Sequence, residues 1–189
     1  MKAEATIVPA PISATASLGL RRVRRMTQPD TSSSAPVLSN APDRTNIAAI
    51  VIGAGFAGIY QLHTLRDKLG MRVRAFEKGS GIGGTWFWNK YPGAMSDTES
   101  PYYRYSFDDG LLQDWNWTRK YINQPDILAY LQEVVARFDL AKDIQLDTEI
   151  TSMEFDEESE IWTVGTEAGE SFTTRYLVTA LGLLAATNI

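Results

Sequence analysis

Three glycines and one glutamate are spaced in the sequence as a dinucleotide-binding site requires. Gly53, Gly55 and Gly58 follow an uninterrupted apolar run at residues 47–52. The first glycine permits a tight turn, the second lets the backbone approach a pyrophosphate, and the third lets a helix pack on the strand. Glu77 lies 19 residues beyond Gly58, where a carboxylate accepts hydrogen bonds from a ribose diol and disfavours a 2′-phosphate. The pattern predicts FAD or NAD, not NADP, in this first site; the alternative is a glycine-rich turn that only packs.

The elements that must position these residues are also visible in the sequence. The run at 47–52 is typical of a central parallel strand that is covered on both faces. A helix is predicted over residues 56–69, with Gly70 as its stop signal. Its N-terminus would direct unpaired N–H groups and the positive end of the helix dipole at the phosphates. A second strand, at residues 71–77, would bring Glu77 to the same edge of the sheet.

The remaining patterns complete the predicted fold. Asn123-Gln124-Pro125-Asp126 opens a helix that runs to about Phe138, and short alternating runs over residues 144–174 predict an antiparallel meander. A further buried strand at residues 176–182 ends in Gly182. Together these elements predict an α/β fold. We expect a Rossmann-like, FAD/NAD(P)-binding three-layer domain with a parallel sheet and an inserted antiparallel β-meander.

A second group of distinctive residues, rich in tryptophan, follows Glu77. The distinctive segments are Phe76-Glu77-Lys78, Gly83-Gly84-Thr85-Trp86-Phe87-Trp88-Asn89-Lys90-Tyr91-Pro92-Gly93-Ala94, Asp97-Thr98-Glu99-Ser100, Tyr103, Gln124-Pro125-Asp126 and Val178-Thr179-Ala180-Leu181-Gly182-Leu183-Leu184. In these segments the chain resembles the type I Baeyer–Villiger monooxygenases of the flavin-containing monooxygenase superfamily, most closely the cyclohexanone monooxygenase type. The similarity spans residues 47–189, the N-terminal FAD-binding part of that family.

The resemblance implies that FAD is the bound dinucleotide and that the tryptophan-rich segment lies beside the flavin. Trp86 and Trp88 would then be flat apolar walls that exclude water from the isoalloxazine. Without the resemblance, the simpler interpretation is that both tryptophans are core residues, as aromatic pairs usually are. Besides the first glycines and Glu77, the cofactor-binding residues that it implies are Gly84, Thr85, Trp86, Phe87, Trp88, Met95, Ser96, Asp97, Thr98, Tyr103, Ile150 and Gly182.

Asp97 is the one candidate for a catalytic role. The resemblance implies that Asp97 lies near both the flavin and the nicotinamide and orients a catalytic arginine from elsewhere in the family's chain. From the residues alone, an aspartate after Pro-Gly-Ala-Met-Ser is a turn residue or a helix cap. Met95 and Ser96 stand where many family members have Arg-Cys. No metal site is predicted.

The resemblance also implies a reaction. Members of the family use NADPH and O2 to convert a ketone into an ester or lactone through a peroxide adduct of the flavin. The chain has one strand–glycine–helix fingerprint, so we expect the NADPH-binding domain to lie outside it and the chain alone to be inactive. Two alternatives stay open: a truncated, inactive FAD-binding remnant, or the FAD domain of a monooxygenase that hydroxylates nitrogen or sulfur. The Trp-Phe-Trp-Asn and Tyr-Pro-Gly-Ala segments count against the second of these.

Composition excludes several classes of function. The formal net charge of −5 argues against nucleic acid as the main partner. Because cysteine is absent, the chain is not a disulfide-relay flavoprotein and has no cysteine nucleophile or cysteine metal ligand. No run of ~20 apolar residues is present, so no membrane span is predicted and a cytoplasmic location is expected.

The first 46 residues differ in composition from the rest. They are rich in alanine, serine, threonine and proline, and they carry six basic and three acidic residues. Because no hydrophobic period is sustained, we predict a disordered leader at 1–46 and the FAD-binding domain at 47–189. An arginine-rich, acid-poor segment is also compatible with an organelle transit peptide.

Overall fold

A computed structural model describes residues 47–184, and the predicted leader lies outside the described residues. The strands are β1 (Ile47–Ile52), β2 (Val73–Phe76), β3 (Met95–Glu99), β4 (Tyr121–Asn123), β5 (Ile144–Gln145), β6 (Ile150–Asp156), β7 (Ile161–Thr166) and β8 (Ser171–Thr179). The helices are α1 (Phe56–His63), α2 (Thr85–Trp88), α3 (Asp109–Asp114) and α4 (Gln124–Arg137), with a π-helical turn at Thr64–Lys68 and a 3₁₀ turn at Ala141–Asp143. Within this range, no helix combines the length and the apolar character that crossing a membrane requires.

Strand β1 is the centre of a six-stranded sheet with the order β5-β2-β1-β8-β7-β6. It pairs in parallel with β2 on one side and with β8 on the other. Ala49, Ile50 and Val51 are completely buried, as expected of a strand that is covered on both faces. The Rossmann-like α/β fold predicted from the sequence is confirmed.

Helices α1 and α4 cover one face of the parallel strands. Ile59 and Leu62 of α1 and Ile127 and Leu131 of α4 are fully buried against Val51 and its neighbours. The helix predicted to open at residues 123–126 and to run to about Phe138 is therefore confirmed. The loop between β3 and α4 is anchored to the same core by tryptophans at 115 and 117, whose ring centroids lie 5.5 and 5.2 Å from that of Tyr130.

The predicted helix over 56–69 is not uniform. After α1 the chain forms the π-helical turn, in which the Leu69 N–H donates to the Thr64 carbonyl, 3.1 Å away and five residues earlier. The wider turn coincides with Arg66, whose guanidinium donates to the Phe138 carbonyl at 2.6 Å and to the Asp143 carboxylate at 2.9 Å. These bonds join the end of the first helix to the end of α4, a tertiary contact that residue periodicity does not reveal.

The antiparallel meander begins later than predicted. Residues 144–145 form β5, which pairs in parallel with β2 and so belongs to the parallel sheet, not to the meander. The meander consists of β6, β7 and β8, paired antiparallel. The apolar side of the meander packs on the face of β1 and β2 opposite the helices, where the rings of Phe172 and Phe76 lie 4.9 Å apart between centroids. The three layers are thus helices, parallel strands and meander.

Replacing Asp67 by asparagine is expected to lower the melting temperature at neutral pH but not at low pH. Hydrogen bonds from Arg66, opposed by burial and aided by His63, hold the pKa of the Asp67 carboxyl below its usual value. A carboxyl with a depressed pKa stabilises the fold above its unfolded-state pKa of about 4, and this contribution disappears as the pH falls through its folded-state pKa. Thermal unfolding followed by circular dichroism at several pH values measures the difference.

The matched control for this substitution is Glu157→Gln in an exposed turn of the meander. It also removes one acidic group, and it is expected to change the melting temperature little at any pH. A loss of stability in Asp67→Asn that is the same at pH 7 and at about pH 2 would contradict the role of the ionised carboxylate.

Candidate functional site

The turn after β1 has a backbone that requires glycine at two positions. Gly53 has a φ of +100°, and a Cβ atom there would lie 2.6 Å from the carbonyl oxygen of Ala180. A Cβ atom on Gly58 would lie 1.8 Å from the carbonyl oxygen of Gly53. Both distances are far below van der Waals contact. The close packing of α1 and of the end of β8 on this turn is therefore possible only because residues 53 and 58 are glycines.

A second glycine segment packs directly against the first. The Gly83 N–H donates to the Ala54 carbonyl at 2.8 Å. A Cβ atom on Gly55 would lie 3.3 Å from the Cα of Gly84, and one on Gly84 would lie 2.9 Å from the Cα of Gly55. The residues that the sequence predicts to line the pyrophosphate thus form one surface made of backbone. Helix α1 begins directly after Gly55, and no side chain caps the amides of its first turn.

Glu77 lies buried beneath this surface, at 6% exposure. One carboxylate oxygen accepts from the Ala54 N–H at 2.7 Å and the other from the Gly79 N–H at 2.8 Å. The carboxylate therefore links the end of β2 to the glycine turn. Each oxygen keeps a second lone pair for another donor. The sequence suggested a ribose contact for Glu77, but it did not suggest the two amide bonds.

The segment from Gly83 to Trp88, here called the tryptophan turn, separates its two indoles. Trp86 is buried in the core, and its indole N–H donates to the Tyr103 hydroxyl at 2.9 Å. Trp88 is exposed, and its ring meets the ring of Phe87 edge-on at 5.2 Å. The structure thus gives the two tryptophans different surroundings, although the sequence assigned them the same role. Thr85 is the first residue of α2, directly after Gly84.

Strand β3 carries four of the predicted site residues. Ser96 is buried, and its hydroxyl accepts from the Thr98 N–H at 3.0 Å, whereas Met95, Asp97 and Thr98 are exposed. The Asp97 side chain contacts the Thr98 hydroxyl at 3.5 Å. Burial raises the pKa of the Tyr103 hydroxyl, the indole bond from Trp86 opposes this, and the charge of Asp97 adds to the increase. Tyr103 is therefore a neutral hydroxyl at physiological pH.

The last two predicted residues differ in their relation to the glycine turn. Gly182 has a φ of +69° and follows Ala180, whose N–H donates to the Ile52 carbonyl at 2.8 Å beside the turn. Ile150 begins β6 and packs with Phe76 and Phe172 in the apolar layer between the meander and the parallel strands. The neighbouring backbone does reach the site, because the Thr148 N–H donates to the carbonyl of Glu77 at 2.9 Å.

Sequence reasoning missed Gly79, Gly81 and Ala180. A Cβ atom on Gly79 or Gly81 would lie 2.9 or 2.6 Å from the ring of Phe87, so these glycines let the ring close over the turn after Glu77. The run of glycines from 79 to 84 was the available signal. Ala180 lies in the segment at 178–184 that carries the resemblance, but its contact with Gly53 joins residues that are far apart in sequence, and no local pattern indicates it.

A cavity of about 700 Å³ lies elsewhere. Its lining includes Ile47, Val73 and Phe172, which stand at the start of β1, β2 and β8. The glycine turn follows the opposite ends of these strands. Ligands of doubly wound sheets bind at the carboxyl ends of the strands, so this cavity is separate from the candidate dinucleotide site.

Comparison with known proteins gives matches over the same part of the chain. A family model described as an NAD(P)-binding Rossmann-like domain matches residues 51–115. A phenazine N-monooxygenase from Lysobacter antibioticus is 61% identical over 143 residues, which are 76% of this chain and 26% of that protein. A Baeyer–Villiger monooxygenase from Pseudooceanicola batsensis is 50% identical over 141 residues, which are 75% of this chain and 26% of that protein. Other relatives, at 35 to 37% identity, are described as FAD-binding monooxygenases.

A solved structure agrees with these matches. The crystal structure of cyclohexanone monooxygenase from Rhodococcus sp. Phi1 bound to NADP+ superimposes with a TM-score of 0.75 at 51% identity, covering 78% of this chain and 28% of that chain. The chain spans about a quarter of the length of the relatives it matches. With its glycine turn, Glu77 and tryptophan turn, the chain corresponds to the N-terminal quarter of flavin-dependent monooxygenases, Baeyer–Villiger enzymes among them.

Proposed function

We propose that this chain is the FAD-binding part of a monooxygenase that uses NADPH and O2. The observation that carries the proposal is the backbone contact where Gly55 meets Gly84. A Cβ atom on either glycine would press against the other, so the two segments meet without side chains between them, as suits a site where backbone approaches a pyrophosphate closely. The residues present therefore fit an FAD dinucleotide.

Each part of the site has a role under this proposal. Uncapped amides at the start of α1 hold the pyrophosphate, and Glu77, fixed by Ala54 and Gly79, accepts from the ribose diol with its remaining lone pairs. The exposed ring of Trp88 shields the flavin end from water. Bound FAD supplies the redox chemistry that activates O2 for transfer to the substrate. Asp97, exposed on β3, orients the catalytic arginine supplied from elsewhere in the family's chain.

For the reaction we propose Baeyer–Villiger oxidation of a small ketone to an ester or lactone. The support is the 50% and 51% identity to a Baeyer–Villiger and a cyclohexanone monooxygenase. The described residues bind the dinucleotide in this proposal and leave the ketone undefined. The tryptophan-rich segment lies within a region shared with relatives of more than one reaction class, so it does not by itself identify the substrate.

Oxygenation of a ring nitrogen is the second candidate. The observation that favours it is the 61% identity to a phenazine N-monooxygenase over 143 residues. To distinguish the two candidate reactions, cyclohexanone and phenazine are supplied in parallel to the full-length monooxygenase that includes this chain. Mass spectrometry identifies the product. A lactone supports the first candidate, and an N-oxide without any lactone overturns it in favour of the second.

Replacing Gly84 by alanine is expected to weaken FAD binding. The new Cβ atom would lie 2.9 Å from the Cα of Gly55 and must displace one of the two backbones. Overpacking costs about 1 to 3 kcal/mol, which corresponds to a rise of about fivefold to 150-fold in the dissociation constant of FAD. Titration of the 189-residue chain with FAD, followed by quenching of flavin fluorescence, gives that constant.

The matched control is Gly70→Ala. Gly70 has a similar φ, +65° against +54° for Gly84, but no atom lies within 4 Å of the place that a Cβ atom on Gly70 would take. Both substitutions therefore place a side chain at a positive φ, and only at Gly84, where ψ is −120°, does the Cβ atom also meet another backbone segment. Failure of the wild-type chain to retain FAD would contradict the proposed function, and equal losses in both variants would contradict the role of Gly84.

We expect the 189-residue chain, loaded with FAD, to oxidise neither cyclohexanone nor phenazine when NADPH is added. In the proposal this chain contributes the FAD site, whereas hydride delivery and the catalytic arginine come from other parts of the family's chain. Gas chromatography for the lactone and liquid chromatography for the N-oxide measure the result. Product formation that depends on NADPH would contradict the expectation.

A further inference from the structure

We propose that Gln124 is a positioning residue that holds the tryptophan turn in the geometry that FAD binding needs. The proposal rests on the proposed function, since it concerns the same cofactor. Sequence reasoning treated Gln124 only as the start of a helix. In the structure it is buried at 8% exposure, where a polar side chain must have a specific partner.

The partner is the tryptophan turn itself. The Gln124 carboxamide nitrogen donates to the backbone carbonyl of Trp86. That carbonyl lies near the end of α2, where helix carbonyls lack main-chain partners, and the Lys90 N–H bonds to the Trp88 carbonyl at 3.2 Å instead. The Gln124 backbone N–H donates to the Ala94 carbonyl at 2.9 Å. One residue thus fixes both ends of the segment from 86 to 94.

The anchor is needed because α2 has only four residues. An isolated helical turn is unstable in water, since nucleation costs more than its hydrogen bonds return. Gln124 is the first residue of α4, whose Ile127 and Leu131 are fully buried in the core. The hydrogen bond from the Gln124 carboxamide therefore fixes the short helix α2 to the long core helix α4, and α2 is too short to be stable alone.

Through the tryptophan turn, Gln124 maintains the contact between the two glycine segments, where Gly84 meets Gly55. Leu128, one turn further along α4, reaches the same region, because a Cβ atom on Gly83 would lie 2.6 Å from its Cδ1 atom. Gly84 follows at once and meets Gly55. When the carboxamide is lost, the turn is free to shift, and the distance between Gly84 and Gly55 is no longer set. The width of the dinucleotide surface changes with it.

Substitution of Gln124 by leucine tests this role. Leucine keeps most of the buried volume but removes the donor and leaves the Trp86 carbonyl unsatisfied. We expect the dissociation constant of FAD to rise about tenfold. We also expect faster amide hydrogen exchange across residues 85–90 of the FAD-free chain, measured by mass spectrometry. The exchange is a readout of the turn that does not depend on the cofactor.

The control variant is Val134→Ala, on the same helix but away from its first turn. Val134 is fully buried, so its truncation also lowers the melting temperature. We expect it to leave both the FAD constant and the exchange of residues 85–90 within about twofold of wild type, as distant sites act independently. Equal changes in both variants would overturn the proposal, because Gln124 would then act only through general stability. Wild-type values in Gln124→Leu would overturn it as well.

The outcome also separates this inference from the proposed function. A wild-type chain that does not bind FAD refutes the proposed function and the link to FAD affinity. The exchange measurement then still decides whether Gln124 holds the turn. A wild-type chain that binds FAD, together with an unchanged Gln124→Leu variant, refutes only the role of Gln124.

Discussion

Gly58→Ala is expected to destabilise the chain more than any other single added methyl group at the site. The Cβ atom would lie 1.8 Å from the Gly53 carbonyl oxygen and 2.8 Å from its carbonyl carbon. Neither atom can rotate away, since both belong to the backbone of the turn. We expect a loss of about 3 kcal/mol or more in the free energy of unfolding, at the upper end of the cost of overpacking. Urea unfolding followed by circular dichroism measures it.

The control for Gly58→Ala is again Gly70→Ala, which adds the same methyl group where no atom lies within 4 Å. The positive φ of Gly70 makes this a demanding control, because a non-glycine residue there costs about 1 kcal/mol. A Gly58→Ala variant as stable as Gly70→Ala would show that α1 can move away from the turn without penalty. FAD binding by Gly58→Ala is expected to be lost together with the packing.

Glu77→Gln is expected to damage both stability and cofactor binding. The carboxylate accepts from two backbone amides, at 2.7 and 2.8 Å, and a glutamine has only one acceptor oxygen. Its amide group would therefore meet a backbone N–H donor to donor. Losing one buried, charge-assisted hydrogen bond costs about 1.5 to 3 kcal/mol. The variant also loses an acceptor for the ribose diol, so we expect FAD affinity to fall about a hundredfold or more, measured by fluorescence titration.

The control for Glu77→Gln is Glu149→Gln. Glu149 pairs with Lys78 at 2.7 Å, but both side chains are well exposed. A surface pair contributes from 0 to about 1 kcal/mol, so this variant should remain close to wild type in stability and FAD affinity. Near-wild-type FAD affinity in Glu77→Gln would contradict both the structural and the ribose role of the carboxylate.

The parts of the site that could be predicted from sequence are those determined by local backbone geometry. The apolar run of β1, the glycine spacing after it and the acid at the end of β2 lie within 31 consecutive residues, 47–77. Each depends on near neighbours in the chain, which a sequence pattern records. Helix α4 was predictable for the same reason, because its start signal and its hydrophobic period are both local.

Other features depend on contacts between distant segments. The burial of Trp86 is explained by Tyr103 and by Gln124, neither of which is adjacent in sequence. Strand β5 has only two residues, too few to show a period, and its parallel pairing with β2 is a tertiary fact. The π-helical turn is likewise associated with the bonds of Arg66 to the end of α4. In each case the residue that makes the deciding contact lies far away in the sequence, so a local pattern does not reveal it.

The contact between Gly53 and Ala180 has a consequence for the time at which the protein acquires its site. The turn begins at residue 53, yet it is closed by the carbonyl of residue 180, at the end of the strand that completes the pairing of β1. Contacts of such long sequence separation form slowly. On a ribosome that adds about 5 to 20 residues per second, the turn waits roughly 6 to 25 seconds for its partner strand. During that interval β1 has an open edge, which makes the nascent chain most vulnerable to aggregation just before it becomes able to hold a nucleotide.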